Sequence, residues 1–151
     1  MMAKKRTAAS YGEFHEQAIF AQRLLLDPRT KHLPWTSTLT GANLTVIQAI
    51  LAKRKGVRRG VPDWMLFVQG GPGWKQVDSR MLPPGLTYFE GLRFYGLALE
   101  FKRPDGNGRT TPDQTRWHNA LRENGWRVEV VRSAGEAWAV VSSYLAFKAA
   151  P

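Results

Sequence analysis

The sequence contains no cysteine, which excludes a disulfide framework, a thiolate nucleophile and a cysteine-ligated metal site. It also has no apolar run as long as a membrane span. The basic segment 1–10 is not followed by the apolar stretch that a secretory signal needs. We therefore expect a protein of the reducing cytoplasm with no membrane partner.

Acidic residues are few, with 12 Asp and Glu against 22 Lys and Arg, so the formal net charge is +10 and the pI is near 10.4. Such an excess of positive charge favours a polyanionic partner, with nucleic acid ahead of an anionic membrane surface. Because basic proteins of other kinds exist, this composition alone does not establish nucleic-acid binding.

Length and composition favour one globular domain. The 151 residues are 43% hydrophobic and include six Trp and seven Phe, which is enough to bury a core. We assign residues 1–9 to a basic flexible tail and residues 10–151 to a single domain. A Gly- and Pro-rich insertion covers about residues 69–95. A loop of this length is usually functional, and this one could add a hairpin, cover a core edge or form a self-association surface.

The stretch from Gly96 to Pro104 is the most informative segment. Leu97, Leu99 and Phe101 alternate with Ala98, Glu100 and Lys102, which is the period of a β-strand with two different faces. One face is apolar, and the other carries a carboxylate and an ammonium side by side, because residues two apart in a strand point the same way. Proline then ends the strand.

Two helices are predicted before this strand. The first runs from a capping box at Ser10 and Glu13 to Leu26, and the second covers about residues 41–55, with a short extended segment over residues 33–38 between them. We expect the first helix to bury Phe14, Ala18, Ala21 and Leu25. We expect the second to bury Val46, Ile47, Ile50 and Leu51.

The other predicted elements are a buried strand over residues 64–68, a helix capped by Thr111, a strand over 126–131 and a helix over 133–147. In the third helix, Trp117 and Leu121 are expected to face the core. This order indicates an α/β fold with a central mixed β-sheet flanked by helices. The last strand–helix–strand unit should be a right-handed crossover between parallel strands.

A candidate metal site follows from two of these strands. Asp63 lies at the mouth of the buried strand 64–68, so it could share one pocket with Glu100. Paired carboxylates suit Mg²⁺ or Mn²⁺, with the main-chain carbonyl of Phe101 as a third ligand. Lys102 would then stand beside water and a phosphate, where it could orient the nucleophile or stabilise developing charge.

Three other features allow two interpretations each. Glu13 could be a capping partner or could lie at the site, and Gln114 could complete the capping box of Thr111 or contact an anion at the amino end of its helix. The basic run 53–59 could be a solvated helix end or a phosphate contact. The basic residues expected at nucleic acid are Lys53, Arg54, Lys55, Arg58, Arg59, Arg103, Arg109 and Arg116.

Several ordered motifs resemble the virus-type replication-repair nuclease (VRR-NUC) family of the PD-(D/E)XK nuclease superfamily. The motifs that carry the resemblance are Glu13-x-x-x-Gln17, Gly60-Val-Pro-Asp63, Leu99-Glu100-Phe-Lys102-Arg-Pro, Thr-Pro-Asp-Gln114 and the Trp126-Arg-Val-Glu-Val-Val segment. The short acidic–basic pattern alone is common, but five motifs in this order are far more specific. The resemblance covers nearly the whole chain except the tail and the insertion.

The resemblance implies a restriction-endonuclease-like core and a divalent-metal-dependent DNA endonuclease, often encoded by a phage or mobile element. By matching motif positions, Asp63 and Glu100 would bind the metal, Lys102 would be the catalytic lysine and Gln114 the family's glutamine. Stand-alone members resemble junction resolvases in pairing as homodimers that suit branched DNA. A phage-encoded member would work in the host cell cytoplasm.

The resemblance also assigns the acid of the first helix. Glu13 would match this acid and is a candidate metal ligand and catalytic residue. Glu16 would substitute for it if the helix started later along the chain.

These observations favour a Mg²⁺- or Mn²⁺-dependent, structure-selective DNA endonuclease. The alternative is a catalytically silent DNA-binding accessory protein on a nuclease-like scaffold, bound through its basic residues. RNA is not excluded as the nucleic acid. A third interpretation, in which Glu100 and Lys102 are only a surface ion pair, explains neither Asp63 nor Gln114.

Overall fold

The computed structural model describes residues 8–38, 45–71, 75–76, 89–90 and 93–145. The elements in chain order are α1 (Ala8–Leu26), β1 (Trp35–Ser37), α2 (Val46–Arg54), β2 (Trp64–Leu66), β3 (Lys75–Gln76), β4 (Phe89–Glu90), β5 (Gly96–Phe101), α3 (Pro112–Glu123), β6 (Trp126–Val131) and α4 (Ala134–Tyr144). Within this part of the chain, no helix is long and apolar enough to span a membrane.

Four strands form one mixed sheet in the order β1-β2-β5-β6. The pairs β1–β2 and β2–β5 are antiparallel, whereas β5 and β6 are parallel and joined through α3. The predicted α/β fold, its mixed sheet and the parallel last pair are therefore confirmed. The strand predicted over residues 126–131 has the bounds found in the structure.

Strand β5 lies inside the sheet, and all six of its residues are buried. Its apolar face, Leu97, Leu99 and Phe101, joins the core formed with α1 and α4. Phe20 of α1 packs against Phe101 with ring centroids 5.7 Å apart and against Trp64 of β2 with centroids 5.1 Å apart. The core thus fixes one face of β5, which leaves the other face for polar side chains.

Helix α1 buries a different face from the one predicted. Phe14 and Leu25 are 67% and 57% exposed, whereas Phe20 and Leu24 are 1% exposed. The helix also begins at Ala8, so Ser10 lies in its first turn and does not precede it. Because apolar residues occur on most sides of this helix, spacing alone did not identify the side that faces the sheet.

Helix α2 is shorter than predicted and is capped by Thr45, whose side chain accepts from the Gln48 backbone N–H. The predicted inward face is wrong. Its four large apolar side chains are all about half exposed or more: Val46 70%, Ile47 70%, Ile50 50% and Leu51 49%. These four residues are called the α2 apolar face below. The basic residues that follow are exposed as well.

The other elements agree more closely with the sequence. Ser133 caps α4 by accepting from the Glu136 backbone N–H, and the short extended segment is β1. In α3, Trp117 and Leu121 are only partly buried, and the buried residue is His118. Within the insertion, β3 and β4 pair antiparallel, and the rest of residues 72–92 lies outside the described residues.

Gly60 fixes the loop before β2 against the first turn of α3. Its backbone has a φ of +82°, and an added Cβ would lie 2.5 Å from the carbonyl carbon of Asp113. The main chain of another residue could not approach this closely. The contact places the loop 57–63, which ends at Asp63, beside the start of α3.

Gly60→Ala should therefore destabilise the protein more than Gly56→Ala. Both positions have positive φ, near +82° and +86°, so both variants incur about 1–2 kcal/mol of backbone strain. Only residue 60 also meets backbone atoms, since nothing lies within 4 Å of a Cβ at residue 56. Urea unfolding of the two variants measures the difference. Equal losses of unfolding free energy would contradict the packing argument.

Candidate functional site

Strands β2 and β5 bring two carboxylates together. Trp64 pairs with Leu99, and continuing this antiparallel register by one residue places Asp63 opposite Glu100. Directly opposite side chains share a face of the sheet. The Asp63 Oδ2 atom accepts a 2.8 Å hydrogen bond from the Phe101 backbone N–H. The predicted meeting of these two acids is therefore present in the structure.

Lys102 stands between an acid and an amide. Its Nζ donates to Glu100 Oε1 at 2.8 Å and to Gln114 Oε1 at 2.9 Å. Gln114 Nε2 donates in turn to the same oxygen of Glu100. Lys102 is 7% exposed, so its ammonium is held by fixed acceptors inside the protein. Gly108 lies over the stem, where a Cβ would be 3.3 Å from that of Lys102.

The capping role predicted for Gln114 is confirmed, and its side chain also bonds Lys102, while contact with a bound anion stays a prediction. Thr111 Oγ1 accepts from the Gln114 backbone N–H, and Gln114 Oε1 accepts from the Thr111 backbone N–H, which completes the capping box. The same Oε1 atom accepts from Lys102. The amino end of α3 and the ammonium of Lys102 therefore share one side-chain oxygen.

Burial and like charge perturb Glu100. It is 1% exposed, and burial together with the negative charge of Asp63 raises its pKa to about 7, despite the opposing effect of Lys102. Within the described residues, Oε2 of Glu100 has no hydrogen-bond partner. Glu100 thus combines a pKa near neutrality with a buried carboxylate oxygen that makes no hydrogen bond within the described residues, and perturbed groups of this kind cluster at functional sites.

Glu13 approaches the same site from α1. Burial, followed by the negative charge of Asp63, raises its pKa, and the positive charges of Lys102 and Arg103 oppose the rise. The preceding residue, Gly12, lies against the ring of Pro104, with a Cβ placed there 3.7 Å from Pro104 Cδ. Helix α1 thus holds this carboxylate beside the end of β5.

Glu16, considered as a substitute for Glu13, has another contact. Its Oε2 accepts a 2.7 Å hydrogen bond from the Ala134 backbone N–H at the amino end of α4. The negative charge of Asp63 contributes to the raised pKa of Glu13, so the Glu13 carboxylate lies near the site. The geometry therefore favours Glu13 as the α1 acid of the site.

His118 was missed by the sequence analysis. It is 4% exposed, and its Nε2 lies 3.6 Å from Glu100 Oε2, with no hydrogen-bond partner among the described residues. Burial, followed by the positive charges of Arg122 and Lys102, lowers its pKa. The signal that could have identified it is its position four residues after Gln114, since residues i and i+4 of a helix share a face.

The donor set fits a Mg²⁺ or Mn²⁺ ion of the kind that keeps several waters. Such an ion needs only one or two carboxylates from the protein, with a carbonyl and water as its other ligands. Asp63 and Glu100 supply the carboxylates, and Oε2 of Glu100 accepts no hydrogen bond within the described structure, although His118 Nε2 lies 3.6 Å away. Across the same residues, no cluster of three or more His, Cys, Asp or Glu side chains is arranged for a metal. An ion held by Asp63 and Glu100 would therefore take its remaining ligands from main-chain oxygen and water.

The predicted nucleic-acid-binding residues fall into three groups. Lys53, Arg54 and Lys55 lie exposed at the end of α2. Arg103 pairs with Asp105 beside the site, and Arg109 is exposed in the following loop. The last group, Arg58, Arg59 and Arg116, lines one groove with Trp117. The eight residues thus belong to the end of α2, the loop after β5 and the lining of one groove.

Comparisons with known proteins agree with this architecture. The family model described as the VRR-NUC domain matches residues 15–135, which is most of the chain. A solved structure described as a VRR_NUC domain protein is similar over 95% of this chain and 92% of that chain, with a TM-score of 0.61 and 18% sequence identity. At that identity the structural match supports the fold alone. No curated protein sequence matches.

The raised pKa of Glu100 predicts a pH-dependent gain in stability for Glu100→Gln in metal-free protein. Between its ordinary pKa of 4.5 and about 7, the folded protein keeps a proton that the unfolded chain releases, so stability falls as pH rises through this window. Glutamine removes this loss. We expect the variant to be more stable than the native protein by up to about 3 kcal/mol at pH 8, and by much less at pH 5.

Urea unfolding with EDTA at both pH values measures this gain. Glu123→Gln, at an exposed position of α3, is the matched control and should show no such dependence. A Glu100→Gln effect of the same size at both pH values would show that ionisation of Glu100 does not oppose folding.

Proposed function

We propose that this chain, which belongs to the VRR-NUC domain family, is a Mg²⁺- or Mn²⁺-dependent endonuclease that hydrolyses DNA phosphodiester bonds in branched or junction DNA. Family membership supports a nuclease-like protein with DNA as its substrate. The observation that carries the metal-dependent activity is the juxtaposition of Asp63 and Glu100 with Lys102, which bonds Glu100 directly. This is the arrangement expected of the PD-(D/E)XK type.

Asp63 and Glu100, with the Phe101 carbonyl, would hold the metal ion, and Glu13 would add negative charge beside them. The bound ion would supply neutralisation of the phosphate charge and activation of water. The Phe101 backbone N–H keeps the Asp63 carboxylate aimed at the site, because the 2.8 Å hydrogen bond ties that side chain to β5. The negative charge collected on these acids is the attraction for the cation.

Lys102 acts on the phosphate and the attacking water. Glu100 and Gln114 occupy two of the three donor directions of its ammonium, which leaves one for a substrate oxygen. In the reaction, the water oxygen forms a bond to phosphorus and loses a proton to solvent, the ester P–O bond breaks, and the leaving oxygen takes up a proton from solvent. A preorganised ammonium stabilises the charge that develops on the phosphate as these bonds change.

Asp63→Asn and Lys102→Ala should each reduce DNA cleavage in Mn²⁺ by at least about 100-fold, because each removes a charge that acts on the reacting groups. Cleavage of branched and linear DNA of equal length measures both the activity and the preference. Asp27→Asn is the matched control, since Asp27 pairs with Arg29 at the end of α1 and should leave cleavage unchanged. Full cleavage by the Lys102→Ala variant would contradict the assignment.

The accessory-protein alternative gives a different pattern in the same samples. Calorimetry should detect Mn²⁺ binding to the native protein at millimolar concentration or below, and weaker binding to Asp63→Asn. DNA binding without a Mn²⁺ site and without cleavage would instead identify a catalytically silent DNA-binding protein.

We also propose that the protein works as a homodimer that pairs through the α2 apolar face. Four large apolar side chains exposed on a nine-residue helix form the kind of patch that a second copy covers in a symmetric interface. Two copies would present two sites to the two strands of a branched substrate. The exposed basic residues at the end of α2 would then lie beside the interface.

A double substitution, Ile47→Glu with Ile50→Glu, should convert a dimer of the native protein into a monomer, because it places four charges in the symmetric interface. Light scattering coupled to size-exclusion chromatography measures the mass. Leu26→Glu is the matched control, since Leu26 is 79% exposed on α1. A native protein that is monomeric at high micromolar concentration would contradict this proposal.

A further inference from the structure

A groove of about 390 Å³ lies beside the candidate site and has no role in the chemistry described above. It is lined by Arg58, Arg59, Asp113, Arg116, Trp117 and Ala120. We refer to it as the Trp117 groove. Its volume is in the range of sites that bind small organic groups. Its lining combines one large aromatic ring with three guanidinium groups.

The Trp117 groove is assembled by two segments that Gly60 holds together. The close approach of Gly60 to Asp113 brings the loop with Arg58 and Arg59 against the first turns of α3. The remaining lining residues lie three, four and seven positions after Asp113, so they form one stripe along the helix. A single fixed backbone contact therefore determines the shape of the groove.

Charge makes the groove a site for an anion with an aromatic part. Its one acid, Asp113, already pairs with Arg116, while Arg58 and Arg59 are exposed. Arginine suits phosphate because its planar fork can donate two parallel hydrogen bonds. Trp117 is partly buried and offers a ring on which a nucleobase can stack. A nucleotide with its base out of the double helix satisfies both features.

The groove and the catalytic cluster occupy neighbouring faces of α3. Asp113 and Trp117 line the groove. The residue after Asp113 is Gln114, which bonds Lys102, and the residue after Trp117 is His118, which lies near Glu100. Successive residues are about 100° apart around a helix, so the two faces adjoin. One strand of a substrate can therefore reach both.

We propose that the Trp117 groove binds an unpaired base of the DNA strand being cut, with the base stacked on Trp117 and its flanking phosphates held by Arg58 and Arg59. This inference rests on the proposed nuclease function and makes its substrate more specific. The substrate would be DNA with a short single-stranded segment next to the cleaved bond, as at a gap, flap or branch point. Stacking tolerates any base, so the preference would be for structure and not for sequence.

Binding measured without cleavage tests the groove separately from the chemistry. The test uses the full chain carrying Asp63→Asn, with a blunt duplex and the same duplex containing a two-nucleotide gap. We expect this protein to bind the gapped DNA more tightly than the blunt duplex. Adding Trp117→Ala should weaken binding to the gapped DNA by about 5- to 150-fold. A 2-aminopurine base in the gap should be quenched on binding when Trp117 is present and not in the alanine variant.

Two further variants serve as controls. Trp117→Phe keeps an aromatic ring and should retain most of the preference for gapped over blunt DNA. If the alanine variant does not fold, this variant still tests whether an aromatic ring at residue 117 supports that preference. Lys53→Ala with Arg54→Ala removes two positive charges outside the groove and should weaken binding to both DNAs equally. Arg58→Ala with Arg59→Ala should reduce the preference for gapped DNA.

Equal affinities for the two DNAs, or an equal loss for both with Trp117→Ala, would overturn the proposal for the groove. If the groove proposal fails in this way but the native protein cleaves DNA, the nuclease function is still supported. Conversely, a gap preference that depends on Trp117 in a protein that never cleaves DNA would support the groove and contradict the nuclease function.

Discussion

The site depends on one buried electrostatic arrangement, the placement of the Lys102 ammonium against Glu100 while Asp63 lies directly across the sheet. Two carboxylates on adjacent strands repel one another, and removing them from water adds a further penalty. The Lys102 ammonium offsets only part of the repulsion and of the cost of burial, so the pKa of Glu100 remains raised to about 7. The protein tolerates this because the opposite face of β5 is anchored in the core by Leu97, Leu99 and Phe101.

The surrounding elements are arranged to meet the needs of this cluster. Helix α1 supplies Glu13 and the core contacts of Phe20, α3 supplies Gln114 and His118, and the loop before β2 supplies Asp63. These segments are far apart in the chain, so the site forms only when the sheet has assembled in its native register. A shift of β2 by one residue would turn Asp63 to the other face of the sheet.

The strands and their polar residues could be predicted because their signals are local. Alternation in β5 identified the shared face of Glu100 and Lys102, and the Thr111 cap identified the start of α3. The buried faces of α1 and α2 could not be predicted, because apolar residues surround much of each helix and only tertiary packing selects a side. His118 was missed because a histidine among polar residues gives no signal until its neighbour Gln114 is placed in the site.

The sharing of Gln114 Oε1 between the Thr111 backbone and Lys102 has a dynamic consequence. Helix ends fray, and when the first turn of α3 opens, the capping bond and the support of the ammonium are lost together. Amide exchange at that turn therefore reports how often Lys102 loses one of its two acceptors. Each opening of this single helical turn therefore removes a molecule from the population whose site is fully assembled.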